Sequence, residues 1–503
     1  MKILTLQNIR RIYSVFFFVL FLILVAITDF RNMKGYEAAL FLELDPLVAF
    51  ASFLTSWTVY KGLILSLIVI VITLIFGRVF CSWICPMGIL NQWVSHLFNK
   101  RRPVDDYRVN AYRPLFRLKY YILTVILVLA IFGSLQVGLL DPIALISRSF
   151  AVSVFPALHY AGGHFYIKQP VFYGGTFLAV IFIIILFSNR FLSRFWCRVL
   201  CPLGAFLGIV SSRTIMRIHR DVEKCTDCQK CLRYCHGGCD PHLELRAGEC
   251  HGCMNCIEDC PEDAIHYGTA REHSSIHTPV DVNRRRVIET AFAGLILFPM
   301  MRSAVTAKTA PKHNVIRPPG SIAESDFLRR CIKCGECMRV CPTNVIQPAL
   351  LEGGFEALWT PILMNRIGYC EFNCVLCSQV CPTGAIVPLS VEKKVGKAPY
   401  RKPLTIGTAF YDRGRCLPWA MNTECIVCEE VCPTSPKAIW FKTAEIKMRD
   451  GSIKLLKQPH MDPDLCVGCG ICENKCPVHD RAAIRVTSIG ETRSQSNQMI
   501  LTR

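Results

Sequence analysis

Four apolar runs precede residue 190: Ile12 to Phe30, Val59 to Phe80, Tyr120 to Leu140 and Val171 to Phe187. Each has the length and composition of a membrane-crossing helix. Basic residues alternate with them. Lys2, Arg10 and Arg11 precede the first run, Lys100, Arg101, Arg102, Arg108, Arg113, Arg117 and Lys119 separate the second from the third, and Arg190, Arg194 and Arg198 follow the fourth. Because positively charged flanks stay cytoplasmic, this predicts a cytoplasmic N-terminus. It also places the Lys- and Arg-poor connections Asp29 to Lys61 and Asp141 to Pro170 outside.

The pattern repeats. Leu44-Asp45-Pro46-Leu47 is echoed by Leu140-Asp141-Pro142-Ile143, and Cys81-x3-Cys85-Pro86-Met87-Gly88 by Cys197-x3-Cys201-Pro202-Leu203-Gly204. Two two-span units in the same orientation are commonly related by a pseudo-twofold along the membrane normal. That axis predicts the two Cys-x3-Cys-Pro segments together inside and the two Asp-Pro segments together outside. A fifth apolar run, Val287 to Met301, is about 22 Å long as a helix and follows Arg284-Arg285-Arg286, a flank resembling a twin-arginine export leader.

The predicted fold is therefore multi-domain: an α-helical membrane bundle of two repeated two-span units plus a fifth anchor span, joined to α+β bacterial-type ferredoxin domains. The expected segments are 1–210 (four-span membrane domain), 211–280 (cytoplasmic ferredoxin domain), 281–320 (fifth span and linker), 321–486 (periplasmic ferredoxin domain) and 487–503 (polar, mobile tail).

Composition sharpens this picture mainly through cysteine. The chain has 29 Cys, 52% hydrophobic and 19% charged residues, and a formal net charge of +19. Tight cysteine triplets followed by Cys-Pro suit iron-sulfur clusters better than disulfides or paired zinc knuckles. A cluster held by four thiolates is roughly a dianion, so the basic balance implies no nucleic-acid partner.

In ferredoxin-type motifs three cysteines at x2 spacing hold one cluster, and the fourth ligates its neighbour. Crossing the motifs in pairs predicts six [4Fe-4S] sites on 24 cysteines. The first pair is Cys225, Cys228, Cys231, Cys260 and Cys250, Cys253, Cys256, Cys235, with Cys239 an alternative to Cys235. The second is Cys331, Cys334, Cys337, Cys381 and Cys370, Cys374, Cys377, Cys341, where one extra residue separates Cys370 from Cys374. The third is Cys416, Cys425, Cys428, Cys476 and Cys466, Cys469, Cys472, Cys432. Several motifs run on to an isoleucine (Ile265, Ile346, Ile386, Ile439, Ile484) expected to begin a short strand against a cluster. Cys81, Cys85, Cys197 and Cys201 remain, their i, i+4 spacing placing each pair on one helix face. They are candidates for a seventh cluster or a redox dithiol site, against a structural-thiol alternative.

Residues 1 to 270, with their two Cys-x3-Cys-Pro motifs and two-cluster segment, resemble the NapH-type membrane quinol dehydrogenase component. Residues 281 to 486, with a twin-arginine-like leader and four cluster motifs, resemble its NapG-type ferredoxin partner. The resemblance implies a fusion in the bacterial cytoplasmic membrane that oxidises menaquinol or ubiquinol from the quinone pool and passes electrons to a periplasmic cytochrome or reductase. Residues singled out for the quinol site are Asp45, Asp141, His159 and His164, as carboxylates and imidazoles able to take protons. Two other functions fit the same residues: an electron-donating factor for maturing a periplasmic metalloenzyme, and ferredoxin-fed export of electrons.

Overall fold

In the computed structural model the described residues are 5–29, 39–58, 60, 62–99, 110–161, 171–243, 245–269, 280–306, 315–448 and 450–498. Lys2, Lys100, Arg101, Arg102, Arg108 and His164 lie outside them.

Among the described residues three helices are long and apolar enough to cross a membrane: Leu6–Ile27, Pro114–Ile131 and Pro142–Ala161. The last corrects the sequence reading, which left 141–170 as an outer connection. Arg148 interrupts the run's hydropathy, but it is fully buried and donates to the carbonyls of Gly138, Leu139 and Lys333, so the helix continues through it. The second and fourth apolar runs form the shorter helices Gly62–Phe76 and Gly175–Arg190. The fifth run is longer than expected, Arg284–Thr306, because helix propensity carries the polar flanks past the apolar stretch.

Each proline of the repeat starts a helix: Pro46–Ser56, Pro86–Asn99, Pro142–Ser149 and Pro202–Ser211. Proline suits a first helical position because its missing N–H costs no hydrogen bond there and its φ is already helical. The residue before it supplies the cap. Asp45 accepts from the N–H groups of Leu47 and Val48, Asp141 from those of Ile143 and Ala144, and Cys201 Sγ from Gly204. Thus the i, i+4 pairs do not lie along one continuous helix: Cys81 and Cys197 sit in the preceding turns Phe80–Trp83 and Trp196–Leu200, while Cys85 and Cys201 adjoin the next helix.

The two cysteine-rich segments dock at opposite ends of the bundle. At the start of the Leu118–Ile131 helix, Lys119 and Tyr120 donate to Glu249 of the first segment. Beyond its other end, Gly133 packs against Arg329, and Thr55 at the end of Pro46–Ser56 donates to the Arg329 carbonyl at 2.9 Å. The Arg284–Thr306 helix runs alongside Leu118–Ile131, with Gly294 against Val128 and Phe298 against Phe132, and thereby joins the two ends.

Each cysteine-rich segment is built on two-stranded antiparallel sheets: Met216–Arg220 with Ile265–Thr269, then Ile346–Pro348 with Pro361–Leu363, Thr408–Tyr411 with Ile484–Thr487, and Ile439–Lys447 with Ile453–Met461. Ile265, Ile346, Ile439 and Ile484 each begin a strand and are buried, while Ile386 bridges Ser321. The tail expected to be mobile is instead packed as far as residue 498. Thr492 and Thr405 exchange hydrogen bonds, Asn497 donates to Ser488, and Arg493 pairs with Glu324 and Glu491. Buried residues 315–317 likewise belong with this segment rather than with a linker.

Candidate electron-transfer centres

Five pockets are each lined by four cysteines. One has Cys225, Cys228, Cys231 and Cys260; a second Cys331, Cys334, Cys337 and Cys381; a third Cys341, Cys370, Cys374 and Cys377. The others have Cys432, Cys466, Cys469 and Cys472, and Cys416, Cys425, Cys428 and Cys476. In each, three ligands of one motif face the last cysteine of its partner motif. Among the described residues no three His, Cys, Asp or Glu side chains converge as a single ion requires. Sulfurs ringed around a cavity suit a cluster instead, since a lone zinc draws its thiolates to about 2.3 Å.

The sixth group gathers Cys250, Cys253 and Cys256 with both Cys235 and Cys239, whose sulfurs are 3.5 Å apart. The contact with Cys239 and the nearby Arg198 lower the Cys235 thiol against the opposing effect of burial. Gly238 N–H also donates to Cys235 Sγ at 3.2 Å.

Contacts between groups give their order. In the first segment Cys231 faces Cys256. In the second, Cys377 faces Cys337, the Cys370 N–H donates to the Cys469 carbonyl at 2.8 Å, and Cys428 faces Cys472. The four sites form a line from the Cys331 group at the bundle to the Cys416 group at the far end. The near end penetrates the bundle: Ile332 and Cys334 share a hydrophobic core with Cys81, Cys85 and Cys201. A Cβ at Gly138 would stand 1.8 Å from the Ile332 carbonyl oxygen, so only glycine allows this approach.

Between the two segments lie Cys81, Cys85, Cys197 and Cys201, all buried, all free thiols, and mutually in electrostatic range. Asp45 and Asp141, both 0% exposed, act electrostatically on one another, each keeps one carboxylate oxygen buried without a hydrogen-bond partner, and Asp141 acts electrostatically on Cys85. The repeat thus brings the two cysteine pairs together and the two aspartates together within one buried interior. Four helix starts meet there, and the partial positive charge of helix N-termini favours an anionic centre. Two buried arginines add to it across the repeat. Arg194 donates to the Cys81 carbonyl at 3.4 Å, and Arg78 reaches Gly204, beside Cys201.

His159 is not part of this interior; its charged neighbours are Arg339 and Asp29. The arginines read as topology signals have a further role. Arg10, Arg194 and Arg198 are buried and bind Asn255, His251 and the Cys235 and His236 carbonyls, fastening the first segment to the bundle. Burial and these cations hold His236 and His251 well below the usual imidazole range, hence neutral. Arg78 and Arg194 could have been found, since each stands three residues before the first cysteine of its motif. Arg148, Glu249 and Lys394 carry no such signal.

Residues 58–105 and 173–221 match a 4Fe-4S binding domain family, 330–385 a 4Fe-4S dicluster domain family, and 458–484 a further 4Fe-4S binding domain family. The methylamine utilization ferredoxin-type protein MauM of Methylorubrum extorquens is 37% identical over 202 residues, 39% of this chain and 81% of MauM. The ferredoxin-type protein NapH of Haemophilus influenzae is 26% identical over 221 residues, 42% of this chain and 68% of NapH. YccM of Escherichia coli is 30% identical over 208 residues, 40% of this chain, which spans about half of that relative (53%). No solved structure matches the chain.

Proposed function

Because the chain belongs to the ferredoxin-type 4Fe-4S polyferredoxin family, we propose that it is a membrane quinol dehydrogenase component passing electrons from menaquinol or ubiquinol to a periplasmic cytochrome or reductase. In this reading a NapH-like half, oriented with its N-terminus in the cytoplasm, is fused to a NapG-like half exported beyond the Arg284–Thr306 helix.

Bound [4Fe-4S] clusters would supply one-electron carriage. The chain supplies their holders: the six cysteine sets described above, with Cys235 as sixth-site ligand, and Cys81, Cys85, Cys197 and Cys201 as a seventh. The observation that carries the proposal is this last quartet, which occupies the interior between the inner and outer lines and lies within segments matching a 4Fe-4S binding family. Without it the two lines would be separated by the length of the Pro114–Ile131 helix, about 27 Å at 1.5 Å per residue.

Asp45 and Asp141 are the proton acceptors assigned to quinol oxidation. Two neighbouring carboxyls in a buried site favour losing one proton over losing both, so the pair would keep one base for the quinol. Anaerobic addition of a reduced menaquinone analogue to the detergent-solubilised protein tests the proposal: rapid bleaching of cluster absorbance is expected. No bleaching, with dithionite still reducing the clusters, overturns quinol as donor. It would favour the ferredoxin-fed reading, for which the exposed Cys228 at the inner end offers a contact point.

A further inference from the structure

Lys394 is buried, yet its ammonium lies 3.3 Å from Cys370 Sγ, 2.6 Å from the Glu371 carbonyl and 2.7 Å from the Cys374 carbonyl. It comes from outside the cysteine motif, on the short helix Val391–Val395 that Ser390 caps. Its two carbonyl partners flank the stretch Glu371-Phe372-Asn373, the place where the motif carries one residue more than Cys-x2-Cys. The longer loop turns both carbonyls toward the ammonium. The insertion is therefore not a neutral lengthening: it builds a seat for a positive charge on a cluster ligand.

We propose that Lys394 sets the reduction potential of the Cys341–Cys370–Cys374–Cys377 centre, raising it so that electrons entering the outer line settle there before moving on. The proposal rests on the cluster reading given above. Adding an electron to a cluster makes it more negative, so a buried cation donating to a ligand sulfur stabilises the reduced form; hydrogen bonds to the sulfurs and local charge are the protein's means of tuning such centres. The neighbouring sites differ in kind. The Cys331 site is approached by Lys333 and Arg148, also buried. Farther out, Glu473 acts on Cys472, and Cys428 has the neutral Tyr411 hydroxyl at 3.2 Å. At the bundle-side site the cations stand beside the buried Glu336, which acts on Cys334, whereas an anion and a neutral group lie toward the far end. The site with a cation donating directly to a ligand sulfur is thus the Lys394 one, and it is there that the charge favours the reduced form.

The test uses the full-length protein in detergent, with iron analysis and potentiometric titration followed by electron paramagnetic resonance. Lys394→Gln keeps a donor for the Glu371 and Cys374 carbonyls without the charge. It is expected to retain wild-type iron while one centre shifts to lower potential by at least tenfold in its reduced-to-oxidised ratio, or 59 mV for a one-electron couple. Lys394→Arg should restore most of the shift. Full iron with every midpoint unchanged in Lys394→Gln overturns the proposal, as does loss of the centre in Lys394→Gln with Lys394→Arg, which keeps the charge, lowering that midpoint by the same tenfold ratio. Failure of the underlying cluster reading shows separately: Cys374→Ser would then leave iron content and spectra as in wild type.

Discussion

Asp45 and Asp141 share one buried interior and act electrostatically on each other, each accepting two backbone N–H groups at the start of the helix that follows it and leaving its other oxygen buried without a hydrogen-bond partner. The same side chain thus caps a helix and belongs to the pair proposed to take protons. The two roles separate by substitution, because asparagine caps as well as aspartate but cannot take a proton.

Asp141→Asn is accordingly expected to keep iron content and thermal stability and to slow quinol oxidation by about 10²–10⁴-fold, the usual loss when a general base is removed. Asp141→Ala should in addition cost about 1 kcal/mol from the lost cap. Stopped-flow bleaching beside a thermal melt distinguishes them; unchanged oxidation in Asp141→Asn would leave the pair a purely structural device.

Seven four-iron centres predict about 28 iron atoms per chain. Cys85→Ser combined with Cys201→Ser should lower this to about 24. It should also stop electrons crossing between the inner and outer lines, read as outer clusters reducible by dithionite but no longer by quinol. A wild-type value of about 24 would remove the seventh centre.

Glu249 receives Lys119 and Tyr120 and lies 3.9 Å from Arg78, all of them buried. Glu249→Gln leaves two cations in that interior without a counter-charge, which typically costs about 3–5 kcal/mol. The first cysteine-rich segment is expected to come loose from the bundle, seen as protease cleavage within 211–280 under conditions where wild type resists.

Gly138→Ala places a methyl group into the Ile332 carbonyl. Since both groups belong to packed backbone, the loop carrying Cys331 and Cys334 must back away from the bundle. The expected result is wild-type iron with slowed quinol reduction of the outer line, measurable in the same stopped-flow experiment.

Glu324 is held at about 2: burial opposes ionisation, but the Arg317 and Arg493 guanidiniums overcome it, at 2.6 and 2.7 Å. Its folded value is below that of the unfolded chain. The pair's contribution is therefore complete above about 4.5 and declines as pH falls toward 2. Arg493→Ala should release the 488–498 tail and flatten the outer segment's stability profile over this window, as followed by urea melts between pH 5 and pH 3. The partial exposure of Glu324 keeps the effect modest.

Spacing alone was enough for the local chemistry. Cysteine triplets, the crossed fourth ligand and the isoleucine that follows read directly from the chain, because a cluster fixes the distances between its ligands and hence their separation in sequence. The repeated Asp-Pro and Cys-Pro steps were legible as a repeat, but that each proline opens a new helix emerged only from the structure. Tertiary structure decided the rest. That Asp141 acts electrostatically on Cys85, that Ile332 enters the bundle past Gly138, and that Lys394 reaches Cys370 all join residues distant in the chain. Hydropathy misread 142–161 for the same reason: Arg148 looks like a loop residue until the carbonyls of Gly138 and Lys333 are folded around it. Local composition records what a residue is, whereas burial and partners depend on what the fold brings to it.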